Sequence, residues 1–160
     1  MKKKIKNITI IISTILFLTV TLFFSSDWFF PEWNGSYYLG NNLYLMDWEK
    51  GNKIIVHCKN KRGRTCYGGS PVIPHNYPRE VYVLSAKADD KWIIVKAITT
   101  EDNNVCYYLI DKSFNINGLD WEIVNCDSII QSQITGPLDS LNFEHLKNKY
   151  NISDKLSFRD

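Results

Sequence analysis

The chain has 160 residues, 44% of them hydrophobic, with five tryptophans, nine tyrosines and a formal net charge of +2. This apolar and aromatic content excludes an intrinsically disordered chain. Lys2, Lys3, Lys4 and Lys6 supply four of the nineteen basic residues, so fifteen remain against seventeen acidic ones. The rest of the chain is therefore slightly acidic, which excludes a general nucleic-acid binder.

Residues 7–26 carry no charge and are dense in Ile, Leu, Phe and Val. A helix of about twenty residues is ~30 Å long and matches the hydrocarbon core of a bilayer. The preceding lysines keep the N-terminus cytoplasmic by the positive-inside rule and place the following domain outside. The run ends Leu22-Phe23-Phe24-Ser25-Ser26 without the small-x-small exit of a cleaved signal peptide. The residues thus favour a retained signal anchor over a cleaved signal. Trp28, Phe29, Phe30 and Trp33 suit the membrane–water interface just beyond it. The expected organisation is an anchor over 1–26, an aromatic juxtamembrane segment over 27–34 and one β-rich extracytoplasmic domain over 35–160.

Alternating patterns predict strands over Ser36–Leu39 and Leu43–Trp48, joined at Gly40-Asn41-Asn42, and over Lys53–Lys59 after a turn at Glu49–Asn52. A polar loop is expected from Asn60 to Gly69, and an irregular stretch where Pro71, Pro74 and Pro78 follow. Glu80–Ala86, Trp92–Thr99 and Val105–Asp111 read as an antiparallel meander with turns at Asp89-Asp90 and Glu101–Asn104. Trp92-Ile93-Ile94-Val95 is apolar on both faces, which predicts a central strand covered on both sides. Leu119–Ile130 reads as a loop or a short helix starting at Asp120, and Gly136-Pro137 as a break. Asp139 or Ser140 caps a helix with an apolar stripe of Leu141, Phe143, Leu146 and Tyr150, and Leus and aromatics at Leu156–Phe158 fit an edge strand. The fold class is α+β: a mostly antiparallel sheet with a C-terminal helix, preceded by a transmembrane or signal helix.

Cys58, Cys66, Cys106 and Cys126 all follow the apolar run. In an oxidising compartment four cysteines allow three pairings. Cys58–Cys66 with Cys106–Cys126 is the favoured one. A metal site of His57, Cys58, Cys66 and His75 competes, but adjacent strand residues point to opposite faces and the spacing fits no zinc pattern.

Lys91-Trp92-Ile93-Ile94, Tyr107-Tyr108-Leu109-Ile110-Asp111-Lys112, Gly136-Pro137-Leu138, the helix with Phe143 and the ending Asn151-Ile152-Ser153…Leu156-Ser157-Phe158 form a pattern. Over about residues 43–158 it resembles a family of uncharacterised small exported bacterial proteins. The resemblance implies a bacterial envelope location for a signal-bearing or lipid-anchored domain, and it implies no mechanism. This chain has no early cysteine for lipidation, so it would be held by its own helix or released, secreted or periplasmic, after signal cleavage.

The sharpest charged feature is the loop carrying Lys59, Lys61, Arg62 and Arg64, a candidate surface for an acidic partner or lipid, with a solvated hairpin tip as the alternative. His75, Asp111 and Lys112 are the residues on which a hydrolase would rest, but they stand at no motif spacing. Exposed Trp or Tyr grouped in one concavity would favour a small-ligand or glycan-binding module. The expectation is a non-enzymatic, membrane-anchored envelope protein acting through a protein partner, with no cofactor, no metal and no catalytic residue assigned.

Overall fold

The computed structural model describes residues 12–21, 35–48, 51–59, 61–62, 65–66, 69–73, 81–116, 119 and 124–158. The aromatic segment 27–34, Arg64, His75 and Asp120 lie outside the described residues. Helix α1 covers residues 12–21, with its apolar side chains exposed. Thr19 and Thr21 return their hydroxyls to the helix: Thr19 donates to the Leu16 carbonyl at 2.8 Å and Thr21 to that of Phe17 at 2.8 Å. Residues 7–11 and 22–26 of the expected span lie outside the described residues. Among the described residues no helix is long and apolar enough to cross a membrane.

The domain is built from two four-stranded antiparallel sheets. The first has the order β1-β2-β3-β6, from β1 (Ser36–Gly40), β2 (Leu43–Asp47), β3 (Lys53–Cys58) and β6 (Gly69–Ile73). Asn41 and Asn42 both take positive φ, of 50° and 60°, in the two-residue β1–β2 turn, where asparagine tolerates the left-handed region. Tyr38 and Tyr44 pair across these strands with ring centroids 5.1 Å apart. A small hairpin, β4 (Lys61–Arg62) and β5 (Thr65–Cys66), interrupts the expected polar loop. Pro71 does not break β6, contrary to expectation. β6 lies at a sheet edge, where a strand can lack an N–H without losing a ladder bond, and its register shifts opposite Ile55/Val56.

The second sheet has the order β10-β9-β8-β7, from β7 (Val81–Ala88), β8 (Trp92–Thr99), β9 (Val105–Asp111) and β10 (Ile134–Leu138). The meander forms as its turn residues dictate: the Asp89 carboxylate accepts from the backbone N–H of Lys91 at 2.8 Å and of Trp92 at 2.7 Å. Gly136-Pro137, expected to be a break, lies within β10, with a cis peptide bond and a register shift between Thr135 and Leu138. Again the proline is on an edge strand.

Two helices complete the fold. α2 (Cys126–Gln131) is capped by the Asn125 side chain, which accepts from Ser128 N–H. α3 (Ser140–Lys149) is capped by Asp139, which accepts from Asn142 N–H at 2.7 Å. The expected stripe on α3 needs correction. Phe143 is buried, but Leu141 is 84% exposed and Lys147 is only 6% exposed. Lys147 lies 3.9 Å from Glu144 and 3.7 Å from Asp154, which keep its ammonium at the surface while its stem is covered. Leu156–Phe158 is not an edge strand. Leu156 is buried with Trp92, Ile94, Leu109, Phe143 and Ile152, and Phe158 packs on the Tyr107 and Phe143 rings.

Strand β8 is the centre of this arrangement. Ile93, Val95 and Ala97 face the core shared with the first sheet, where Leu39, Leu43, Ile55, Val72 and Ile73 lie. Trp92 and Ile94 face the second cluster, under α3, and the Tyr150 ring stacks on Trp92 at 5.2 Å. A third cluster of Tyr44, Ile54, Val56, Cys58 and Cys66 covers the other face of the first sheet.

Lys112 ties the sheets together. Its ammonium donates to the Leu39 carbonyl of β1 at 3.0 Å and to the Asp89 carbonyl of the β7–β8 turn. Asn41 answers from the other side, donating to the Lys112 and Phe114 carbonyls at 3.2 and 2.7 Å. Gly40, at φ +100°, leaves room for this amine, since a Cβ there would stand 2.6 Å from Nζ. Lys112→Met should therefore lower unfolding stability by about 1–3 kcal/mol, the cost of leaving buried carbonyls unpaired. Urea denaturation of the variant beside the parent measures it, and an unchanged midpoint would show the clamp to be dispensable.

Candidate functional site

The two sheets diverge at one end, where β1 and the ends of β2 and β3 face β7 across a cleft of about 380 Å³. One wall comes from Gly35, Ser36, Tyr37, Leu45, Asp47 and Lys53, the other from Leu84, Ser85 and Ala86. Strand geometry explains which side chains gather here. Tyr37 pairs with Leu45, and Asp47 with Lys53, so alternation along β2 puts Leu45 and Asp47 on one face of the sheet. Leu45 and Ala86 pack on the inter-sheet core and form the apolar floor. On β7 the register shifts between Val83 and Ser85, a bulge that turns Leu84 outward, 48% exposed.

Asp47 and Lys53 flank the mouth on either side of the β2–β3 turn, which Trp48 N–H closes onto the Asn52 carbonyl at 2.6 Å. Gly35, at φ +67°, accepts from Asp47 N–H at 2.8 Å, and a Cβ there would stand 3.0 Å from Asp47 Oδ2. The glycine thus makes room for the carboxylate at the rim. Tyr37, in the lining, is 50% exposed, so an aromatic ring borders the opening. The site combines an apolar floor with an acid, an amine and a phenol, as ligand-binding clefts commonly do.

The residues singled out from the sequence lie elsewhere. Lys59 is exposed just beyond β3, Lys61 and Arg62 form β4, and Arg64 is outside the described residues. The hairpin of β4 and β5 is pinned by the Cys58–Cys66 disulfide, with Cα atoms 5.8 Å apart. Those two sulfurs are bonded to each other and unavailable to the alternative metal set with His57 and His75. Cys106–Cys126 is not formed, which corrects the expected second bridge. Both are buried free thiols in the inter-sheet core, Cys106 on β9 and Cys126 opening α2. Burial raises the pKa of Cys106, and the Tyr108 hydroxyl beside it partly opposes the rise. They fill these positions as small hydrophobes. Of the hydrolase set, Asp111 accepts from Ser113 N–H at 2.9 Å, and Lys112 is committed to backbone carbonyls, with burial lowering its pKa.

The cleft was missed because no motif marks it. Its one sequence signal was the hairpin register around residues 48–52, which sets Asp47 opposite Lys53.

His57 is a different case: 1% exposed on β3, it faces the interior with Ile55. Burial pushes its pKa down to about 4, with the Asp127 carboxylate opposing and Lys59 assisting. It is therefore neutral in the fold.

Residues 40–160 match the model of a family described as "Protein of unknown function (DUF3997)", and the chain belongs to that family. No curated protein and no solved structure matches the chain.

Two outcomes follow from the buried groups. The unfolded chain protonates His57 near pH 6.5 and the folded one only near pH 4, so its stability contribution is complete above pH 6.5 and is lost as pH falls towards 4. Chemical denaturation at pH 7.5 and pH 4.5 should differ by on the order of 3 kcal/mol from this group. His57→Gln should flatten that slope, and an unchanged slope would assign it to carboxylates. Separately, a thiol reagent should label no cysteine in the native protein and two, Cys106 and Cys126, after unfolding without reductant. Four labelled cysteines would mean that the Cys58–Cys66 bridge is absent.

Proposed function

We propose that this protein is a non-enzymatic binding domain of the bacterial envelope, held at the outer face of a membrane by its N-terminal apolar segment, and that it recognises its ligand in the cleft between β1 and β7. The observation carrying the reading is the cleft itself. Its volume of about 380 Å³ falls in the range of small-ligand pockets, about 300–1,000 Å³, and it is walled by elements of a rigid scaffold. The exposed apolar side chains of α1 and the lysines before it support the anchor. Asp47, Lys53 and Tyr37 would orient the ligand, and Leu45, Leu84 and Ala86 would take its apolar part.

A second reading places a protein partner on the disulfide-pinned hairpin. Lys59, exposed beside that hairpin, favours it.

Both readings are tested by photo-crosslinking in intact cells, with the photoreactive residue at position 84, 59 or 141, the last on the far helix. Membranes are then washed at alkaline pH and the chain is recovered with its N-terminus sequenced. The expected result is an uncleaved chain in the washed pellet and a small-mass adduct from position 84 only. A chain released by the wash removes the anchor. Protein-sized adducts from position 59, with none at 84, transfer the function to the hairpin.

A further inference from the structure

We infer that the cleft takes a short apolar peptide with both ends free, its ammonium on Asp47 and its carboxylate on Lys53. The inference rests on the cleft being the recognition site and specifies what it recognises. Three independent features converge on this chemistry.

The first is charge. Asp47 and Lys53 stand directly opposite each other at the ends of β2 and β3. Side chains in such a pair are close enough to interact. Yet among the described residues neither side chain has an ion pair or hydrogen bond. One group of each sign at one rim complements a zwitterion and offers less to a ligand of a single sign, whose charge would meet repulsion from one of the two.

The second is the backbone. β1 pairs only with β2, and β7 only with β8, so each cleft wall includes a sheet-edge strand among the described residues. Edge strands present N–H and C=O groups that an extended peptide can satisfy. A fatty acyl chain carries no donors or acceptors along its length to do so.

The third is the floor. Leu45 and Ala86 abut the core, and the β7 bulge places Leu84 across from the Tyr37 ring. A charged side chain inserted there would lose its hydration without a partner, whereas leucine or phenylalanine would bury apolar surface. Each peptide residue spans at most about 3.3–3.6 Å, so a dipeptide is short enough for both charged ends to stay at the one rim that Asp47 and Lys53 share.

The test is a titration of the full-length chain in detergent micelles, read by the methyl resonances of Leu45 and Leu84 and by tryptophan fluorescence. The probe is the dipeptide leucyl-leucine, compared with its N-acetylated, its C-amidated and its doubly capped forms. Saturable shifts at Leu45 and Leu84 are expected with the free dipeptide. Acetylation or amidation alone should weaken binding about tenfold, as should Asp47→Asn or Lys53→Met. Asp47→Asn should remove the penalty for acetylation, and Lys53→Met the penalty for amidation. Equal binding of the free and doubly capped forms would overturn the charge assignment while leaving the cleft as a peptide site. No shift at Leu45 or Leu84 with any form at millimolar concentration would overturn the inference altogether. The adduct from position 84 then decides separately whether the cleft binds something else.

Discussion

Strand β8 must be buried on both faces, and the architecture follows from that demand. Ile93, Ile94 and Val95 are wholly inaccessible to solvent, and consecutive residues of a strand point opposite ways. Fully burying one such side chain contributes about 1.5–3 kcal/mol. Neither a single sheet nor a sheet with one helix could exclude water from both sides of that strand. The first sheet covers one face and α3 with the C-terminal tail covers the other, so elements far apart in the chain are recruited to one strand.

The demand for cover was legible in Trp92-Ile93-Ile94-Val95, and so was the meander, because Asp89-Asp90 and Glu101–Asn104 leave the chain no room for anything but antiparallel turns. The misreadings share a physical cause. Pro71 and Pro137 looked like breaks because proline donates no hydrogen bond, but whether a donor is needed depends on a strand's place in its sheet, which local sequence does not encode. Leu141 looked like core because helix periodicity fixes which residues share a face without fixing which face is covered. The cleft was the least legible element: Tyr37, Asp47 and Leu84 meet only through the packing of two sheets.

The polar residues divide by use. Lys112, Asn41 and Asp89 are spent on backbone carbonyls and amides that hold the sheets and turns in place. His57 is held neutral in the interior, and Lys147 is covered along its stem beside Glu144 and Asp154. Of these, Lys112 and His57 do not line the cleft, though both stand out in the sequence as candidate chemistry. Asp47 and Lys53 look ordinary there, yet they carry charge at a concave opening. A titratable residue near conspicuous neighbours in the chain was thus a poor guide to the site, and position at the seam between the sheets was a better one.

The walls of the cleft belong to different sheets, so no local element sets its aperture. The gap between Tyr37 and Leu84 is the spacing that the interior side chains impose, from Val72 and Ile73 on one layer to Val83 and Val95 on the other. Cores are packed densely enough to transmit strain rather than absorb it. Substituting a larger residue deep in the interior, with no change at the rim, would pry the layers like a shim and alter which guests fit. In this fold the width of the cleft is set by the thickness of the hydrophobic core.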